Sequence, residues 1–426
     1  MSLKTPQRIL IVGSGGREHA IAWKIRQHHK EAQLFFAPGN GGTATLGANI
    51  GISATDVEGI VVFANDNKIE LTIIGPETAL EAGVSNALTA AGHAVFGPTK
   101  EAAQLETSKA FSADFMVAHN IPHPQSWIFS DADAAIAHIK NIDTPIVIKA
   151  SSIAAGKGVF LPDNQEEAIN VIKTISEGSV SGITKDKILI QERLIGREAS
   201  ILAFSDGKTV VPLIPAQDHK RAYDNDEGPN TGGMGSFAPS NIDPGLLSEI
   251  KETILQPTID GMAKMGMPYK GVLYAGIMLT KGGPKVIEFN ARFGDPETQP
   301  LMMMLSSDVI PIFLSCIEGS LSNEQVKFKI GAAVCVVLAE KGYPGEYTNG
   351  NEIFGLEKSP FMENIEVFHA GTVNKESKIF TAGGRVLGVT AYGTNVEDAK
   401  QKAYGVIGNN GVWFKEMEFR TDIGTN

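Results

Sequence analysis

The chain has 426 residues, a net charge of −11, and 42% hydrophobic against 20% charged residues, which fits a soluble protein of roughly two to four domains. The acidic balance argues against nucleic acid or an anionic membrane as the main partner, because both want a basic footprint, and leaves open small phosphates, which need only local Lys, Arg and backbone N–H groups. Cys316 and Cys335 stand outside any metal spacing, the first eight residues lack the apolar core of a leader, and no uncharged run is long enough to span a membrane, so the expected setting is a reducing cytoplasm.

In chain order, Ile9-Leu10-Ile11-Val12 is a continuous apolar run, as in a strand buried on both faces. Gly13-Ser14-Gly15-Gly16 follows and opens a helix from about Arg17, a place where backbone N–H groups favour a phosphate. A dinucleotide fingerprint would need a third glycine where Glu18 stands, and an acid where Pro38-Gly39-Asn40-Gly41-Gly42 stands. A mononucleotide or sugar phosphate therefore suits the turn better than NAD, with a ligand-free tight turn as the competing reading. Strands are expected at 34–36, 71–74 and 94–96 and a helix at 80–91, and this alternation implies a parallel sheet.

A second unit starts near Ser108, with a helix at 111–119. Residues 122–193 read as strand, helix, strand, Gly-rich loop, helix, strand, and form a separate lobe. Within it, Ile146-Val147-Ile148-Lys149 is a strand ending in a lysine, and Gly156-Lys157-Gly158 is a flexible hairpin but not a Walker A loop, since Gly158 stands where Ser or Thr is needed. It can fold over phosphates with backbone donors and one ammonium, or be an ordinary exposed hairpin. Glu192, Leu194 and Glu198 surround a hinge that suits adenine and ribose, or a charged linker between lobes.

Strands follow at 200–204 and 210–214, then a long polar loop at 217–240 and a helix at 246–265. That loop contains Asp218-His219-Lys220-Arg221 and Gly228-Pro229-Asn230-Thr231-Gly232-Gly233-Met234-Gly235, and long loops of this kind are usually functional or disordered. His219 has no second His or Cys at ligand spacing, which argues against zinc. Val286-Ile287 leads into Glu288-Phe289-Asn290-Ala291-Arg292-Phe293-Gly294-Asp295. Side chains two apart on a strand share a face, so Glu288 and Asn290 present a carboxylate and an amide oxygen together, the hard donors that Mg²⁺ takes while it holds substrate phosphates. An edge strand with a polar end is the alternative. From residue 330 the chain is strand-rich, with one helix at 396–406.

Taken together and in this order, Gly13–Ala20, Pro38–Gly42, Gly75-Pro76-Glu77, Ala154–Val159, Asp218–Arg221, Gly228–Gly235, Glu288–Gln299, Gly342-Tyr343-Pro344 and Gly383–Leu387 resemble the ATP-grasp ligases, and among them the phosphoribosylamine–glycine ligase family. The resemblance covers essentially the whole chain. It implies an α/β multi-domain (α+β) architecture: a Rossmann-like N-terminal substrate domain (1–105), an ATP-grasp domain (106–325) with 122–193 as ATP lid, and a strand-rich C-terminal domain (326–426). It also implies a cytoplasmic monomer or weak homodimer that joins glycine to 5-phosphoribosylamine through a glycyl phosphate, with ATP and Mg²⁺ or Mn²⁺, in purine synthesis.

Carried onto this sequence, the resemblance assigns the metal to Glu288 and Asn290. It assigns ATP to Lys109, Lys149, Gly156, Lys157, Gly158, Glu192, Leu194 and Glu198. Gly15, Gly16 and Asn40 would cradle the phosphoribosylamine, with Glu77, Asp218, Lys220, Arg292 and Gly294 in the same substrate-binding set. Arg292, Asp295, Asp218 and Lys157 are the catalytic candidates, Asp218 and Asp295 for handling glycine or the attacking amine. Two departures stand out. Ser151-Ser152 follows Ala150 where the family commonly has Asp-Gly, and the strand before Glu288, at 274–279, offers no carboxylate. A related ligase for another acid, or a non-catalytic nucleotide binder on the same scaffold, are the alternatives.

Overall fold

Ile9, Leu10, Ile11 and Val12 are all fully buried, as a strand covered on both faces requires. In the computed structural model, which describes residues 4–152, 158–178, 187–357, 363–409 and 411–425, they belong to the central strand of a five-stranded, all-parallel sheet. Its order is Ala48–Asn49, Gln33–Pro38, Arg8–Gly13, Leu71–Ile74, Val95–Phe96. The order reverses beside Arg8–Gly13, so the ends of this strand and of Leu71–Ile74 frame the crevice where open α/β sheets take ligands. The helix expected at 80–91 is two helices, Glu77–Ala82 and Val84–Ala90, divided where Gly83 adopts φ 91°, a conformation that glycine reaches without a Cβ clash.

The helix Lys109–Ala118 leads into a small lobe. This lobe is an antiparallel sheet, in the order Ser126–Phe129, Ile188–Glu192, Ile146–Ala150, Val159–Phe160. The helices Ala132–Ile139 and Gln165–Ser176 cover it, and their Ala135, Ile139, Ala168 and Ile172 share a small core of their own with Ile148 and Ile190. A second antiparallel sheet runs Val210–Pro212, Arg197–Asp206, Lys270–Thr280, Gly283–Asn290. The helix expected at 246–265 is Pro244–Ile250 and Gln256–Lys264 joined by a π turn, Lys251–Leu255. Pro257 has no N–H to give the preceding turn, so a wider turn precedes it.

The stretch 217–240 is the main departure from expectation. It is not a free loop. Gln217–Asp218 and Gly235–Ala238 are strands of the C-terminal sheet, where Gly235–Ala238 pairs with Ala332–Glu340, which pairs in turn with Arg385–Gly393. Between them, Arg221–Tyr223 and Glu227–Asn230 form a hairpin. The partner strand is about a hundred residues away in sequence, beyond the reach of local pattern. The helix Val396–Gly405 packs on this sheet as expected. Among the described residues, no helix is long and apolar enough to cross a membrane.

Candidate active site

The strand Gly283–Asn290 places Glu288 opposite Gly276 and Asn290 opposite Tyr274 on its neighbour Lys270–Thr280. Both side chains therefore leave the same face, as alternation demands. Gly276 gives Glu288 room: a Cβ there would stand 3.3 Å from Glu288 Cγ. Lys220 Nζ lies 3.4 Å from Glu288 Oε1 and 3.6 Å from Glu198 Oε2. Lys149 Nζ donates to the Ile287 carbonyl at 3.0 Å, and Lys109 Nζ to the Ser152 carbonyl at 3.1 Å. Lys220 above all, with Lys149 and Lys109, holds the Glu288 carboxyl at about 2 although burial works the other way. Burial brings Lys149 down to about 8, with Glu288 opposing and Lys109 and Lys220 adding repulsion. Burial also disfavours the Lys220 ammonium, but Glu288 and Glu198 outweigh it and raise its pKa well above the ordinary value. Three lysine side chains against the carboxylates of Glu288 and Glu198 leave an excess of positive charge, suited to a polyphosphate.

Arg292, just past the strand end, is clamped between two acids. Its Nε meets Glu77 Oε2 at 3.1 Å and its Nη2 meets Glu106 Oε1 at 2.7 Å. Glu106 Oε2 also accepts the Ala291 N–H at 2.6 Å. The two acids diverge. Burial pushes Glu106 up to about 7 in spite of Arg292. At Glu77, burial is outweighed by Arg292 and Arg17, which hold it at about 2. Glu106 carried no sequence signal: it sits in a short helix, Gln104–Thr107, remote in sequence from the residue it serves.

The Gly-rich helix start differs from a simple phosphate cradle. Glu18 turns back so that its Oε2 accepts the Gly15 N–H at 2.5 Å, and Asp295 Oδ2 accepts the Arg17 N–H at 3.1 Å. Two of the donors expected to face a phosphate are thus capped by carboxylates. A Cβ on Gly75 would fall 1.9 Å from Glu18 Oε1, so this glycine makes room for the acid. Asn40 is also engaged. Its Nδ2 donates to the carbonyls of Ser14 at 2.9 Å and His369 at 2.8 Å, while Oδ1 accepts from Gly42 and Thr43. Its amide ties the loop to the C-terminal domain. Asp295 is held by Gln299 Nε2 at 2.8 Å, and Arg385 Nη1 donates to the carbonyls of Asp295 and Gly232, each at 2.6 Å.

Asp218 borders a small cavity with Glu198, Ser200, Lys220 and Tyr274. Burial, then the neighbouring Glu297, pushes its carboxyl well above the usual range, with Lys220 and Arg385 opposing. Its Oδ1 has no protein partner among the described residues. Glu297 accepts from Tyr274 Oη at 2.5 Å, and a Cβ on Gly294 would stand 2.4 Å from Glu297 Oε2. Glu297 lay inside the quoted motif without a role. Glu192 and Lys285 approach at 3.7 Å on the side of the hinge, near Leu194. Gly158 pairs through its carbonyl with the Ala150 N–H at 2.9 Å. Gly156 and Lys157 lie outside the described residues. The structure therefore brings Lys109, Lys149, Glu198, Asp218, Lys220 and Glu288 into one cluster and Gly15, Gly16, Glu77, Arg292 and Asp295 into an adjoining one.

The chain is similar to known proteins over nearly its whole length. Profiles for the N, ATP-grasp (A) and C domains of phosphoribosylglycinamide synthetase match residues 7–106, 107–298 and 333–426. The trifunctional purine biosynthetic protein adenosine-3 of Gallus gallus is 48% identical over 98% of this chain, which spans only 42% of that protein's length. Phosphoribosylamine–glycine ligase of Pasteurella multocida is 46% identical over 98% of this chain and 97% of its own. The crystal structure of phosphoribosylamine–glycine ligase from Thermotoga maritima superposes with a TM-score of 0.85 at 35% identity, covering 97% of this chain and 99% of that one. A biotin carboxylase domain from Hydrogenobacter thermophilus shares the fold, with a TM-score of 0.72 at 17% identity. The chain belongs to the phosphoribosylglycinamide synthetase family.

Proposed function

We infer that the chain is an ATP-dependent ligase that joins glycine to 5-phosphoribosylamine, giving glycinamide ribonucleotide, ADP and phosphate. The observation that carries this reading is the cluster of Lys109, Lys149 and Lys220 around Glu288, with the clamped Arg292 beside it. A carboxylate is a poor electrophile. Its oxygen attacks the γ-phosphorus of ATP, ADP leaves, and the resulting acyl phosphate has a good leaving group. The sugar amine then attacks the acyl carbon, phosphate leaves, and the amine sheds a proton. Phosphoryl transfer depends mainly on positioning and charge neutralisation, which the three lysines supply to the phosphates. Arg292, fixed by Glu77 and Glu106, offers a planar donor to the transferring group. Asp218, whose Oδ1 has no protein partner among the described residues and which borders the cavity beside Lys220, takes the proton from the amine.

Glu288 is ionised and shares its face with the Asn290 amide, so the two fit Mg²⁺, or Mn²⁺, as oxygen donors. Among the described residues, no group of three or more His, Cys, Asp or Glu gathers as a metal site, which matches an ion completed by phosphates and water. When bound, the metal neutralises phosphate charge. Glu192, Leu194 and Glu198 line the nucleoside side, and the lobe at 122–193, with its own core, is the cover over ATP. The test is phosphate release from Mg·ATP with glycine, with and without phosphoribosylamine generated in situ. Release that needs both substrates is the expected result. ATP binding without release under any combination would overturn the reading.

A further inference from the structure

We propose that the C-terminal segment Arg420–Asp422 is a latch that positions Lys220 for the reaction. The Arg420 side chain is only 1% exposed. Its Nη1 donates to the Arg221 carbonyl at 3.2 Å and to Asp226 Oδ1 at 2.7 Å. Its Nε and Nη2 hold the two oxygens of Asp422 at 2.7 Å each. Asp422 Oδ2 accepts the Asn225 N–H at 2.9 Å, and the Thr421 N–H donates to Asp224 Oδ1 at 2.8 Å. The tip of the hairpin 221–230 is therefore gripped from the C-terminal segment. That segment is itself tied down, since Tyr404 Oη donates to the Arg420 carbonyl at 2.6 Å and accepts the Ile423 N–H at 3.1 Å.

The tip needs such support. Asn225 and Asp226 adopt φ 60° and 55°, and non-glycine residues in that region persist only where the surroundings fix them. Arg221, whose carbonyl Arg420 takes, directly follows Lys220. The Lys220 carbonyl accepts both the N–H of Thr231 at 2.7 Å and its Oγ1 at 2.9 Å. The base of the hairpin is thereby fixed at the residue whose Nζ bridges Glu198 and Glu288. A guanidinium fork suits this task because its donors lie in one rigid plane. Arg420 touches neither ATP, glycine nor amine in this scheme. It is a positioning residue, and the proposal rests on the role given above to Lys220.

The test is a double-mutant cycle. Arg420→Met removes the fork, and Asp226→Asn with Asp422→Asn removes its two anions while keeping residues that tolerate the backbone. Each change is expected to lower kcat/KM roughly fivefold or more in the native background and less than about twofold in a Lys220→Ala background, since coupled sites are not additive. Lys341→Gln, which breaks the exposed Lys341–Glu416 pair in the same region, leaves activity unchanged. Equal proportional losses in both backgrounds, or no loss at all, would overturn the latch. If Arg420→Met does not fold, the paired asparagine variant decides. The same cycle read as Mg·ATP affinity by calorimetry separates the two claims. A wild-type chain that releases no phosphate sinks the ligase reading, while coupling, or its absence, in affinity still decides the latch.

Discussion

Glu288 and Glu198 face Lys109, Lys149 and Lys220, and Lys220 above all holds the Glu288 pKa low while burial brings that of Lys149 down. In Glu288→Gln the shape of the strand end is kept and the charge is lost. Phosphate release is expected to fall by at least about a hundredfold, with the Mg²⁺ concentration needed for half activity raised, as loss of a ligand position implies. A titration of release against Mg²⁺ checks this, and an unchanged curve would remove Glu288 from the metal site. Much at this scale was legible in advance, because Glu288 and Asn290 are two apart on one strand and any such pair shares a face. Glu106 was not. It meets Arg292 only because the helix Gln104–Thr107 packs against the strand Gly283–Asn290. Asn40 was legible as part of a loop, but nothing local says that its amide is consumed by the Ser14 and His369 carbonyls.

At the scale of elements, the first helix shows how a glycine at the end of the neighbouring strand can govern an N-terminus. Helix starts leave backbone donors without partners, and here Glu18 satisfies that of Gly15. It can do so because Gly75, at the end of the strand Leu71–Ile74, leaves its carboxylate space. Gly75→Ala is expected to drive Glu18 off the cap and destabilise the chain by about 1–3 kcal/mol, the sum of a lost cap and local overpacking. Chemical denaturation of this variant against wild type measures it, and an unchanged midpoint would show that Glu18 relocates freely. The strands and helices of the first hundred residues were readable because each is a short apolar run or a periodic segment. The hairpin 221–230 and the strands flanking it were not, since their composition is polar and glycine-rich and their sheet partner is remote.

At the scale of the whole molecule, the N- and C-terminal domains meet through two buried imidazoles. His19 Nδ1 accepts the His369 N–H at 2.8 Å, and the rings lie 5.5 Å apart. Burial, with His369 adding to it, lowers His19 well below its ordinary range, and burial brings His369 to about 4. A lowered imidazole leaves the unfolded chain binding more protons between about 6.5 and the folded value, so stability falls as pH drops through that window, by at most roughly 1.4 kcal/mol per pH unit for each group. Glu106 and Glu366, raised by burial to about 7, pull the other way, so the comparison is between variants. Urea unfolding between pH 7.5 and about pH 5 is expected to show a shallower acid loss in His369→Gln than in wild type; identical slopes would exclude the pair as the source. By itself the sequence determined the strand alternation of the first hundred residues and the order of the chemical motifs, because these follow from local periodicity and from residues adjacent in the chain. Only the tertiary structure decided which charges face one another: Lys220 between Glu198 and Glu288, Arg292 between Glu77 and Glu106, and the C-terminal Arg420 on the hairpin beside Lys220. Those pairings join segments up to 215 residues apart, and their strength comes from burial and a lowered dielectric that no local stretch of chain can express.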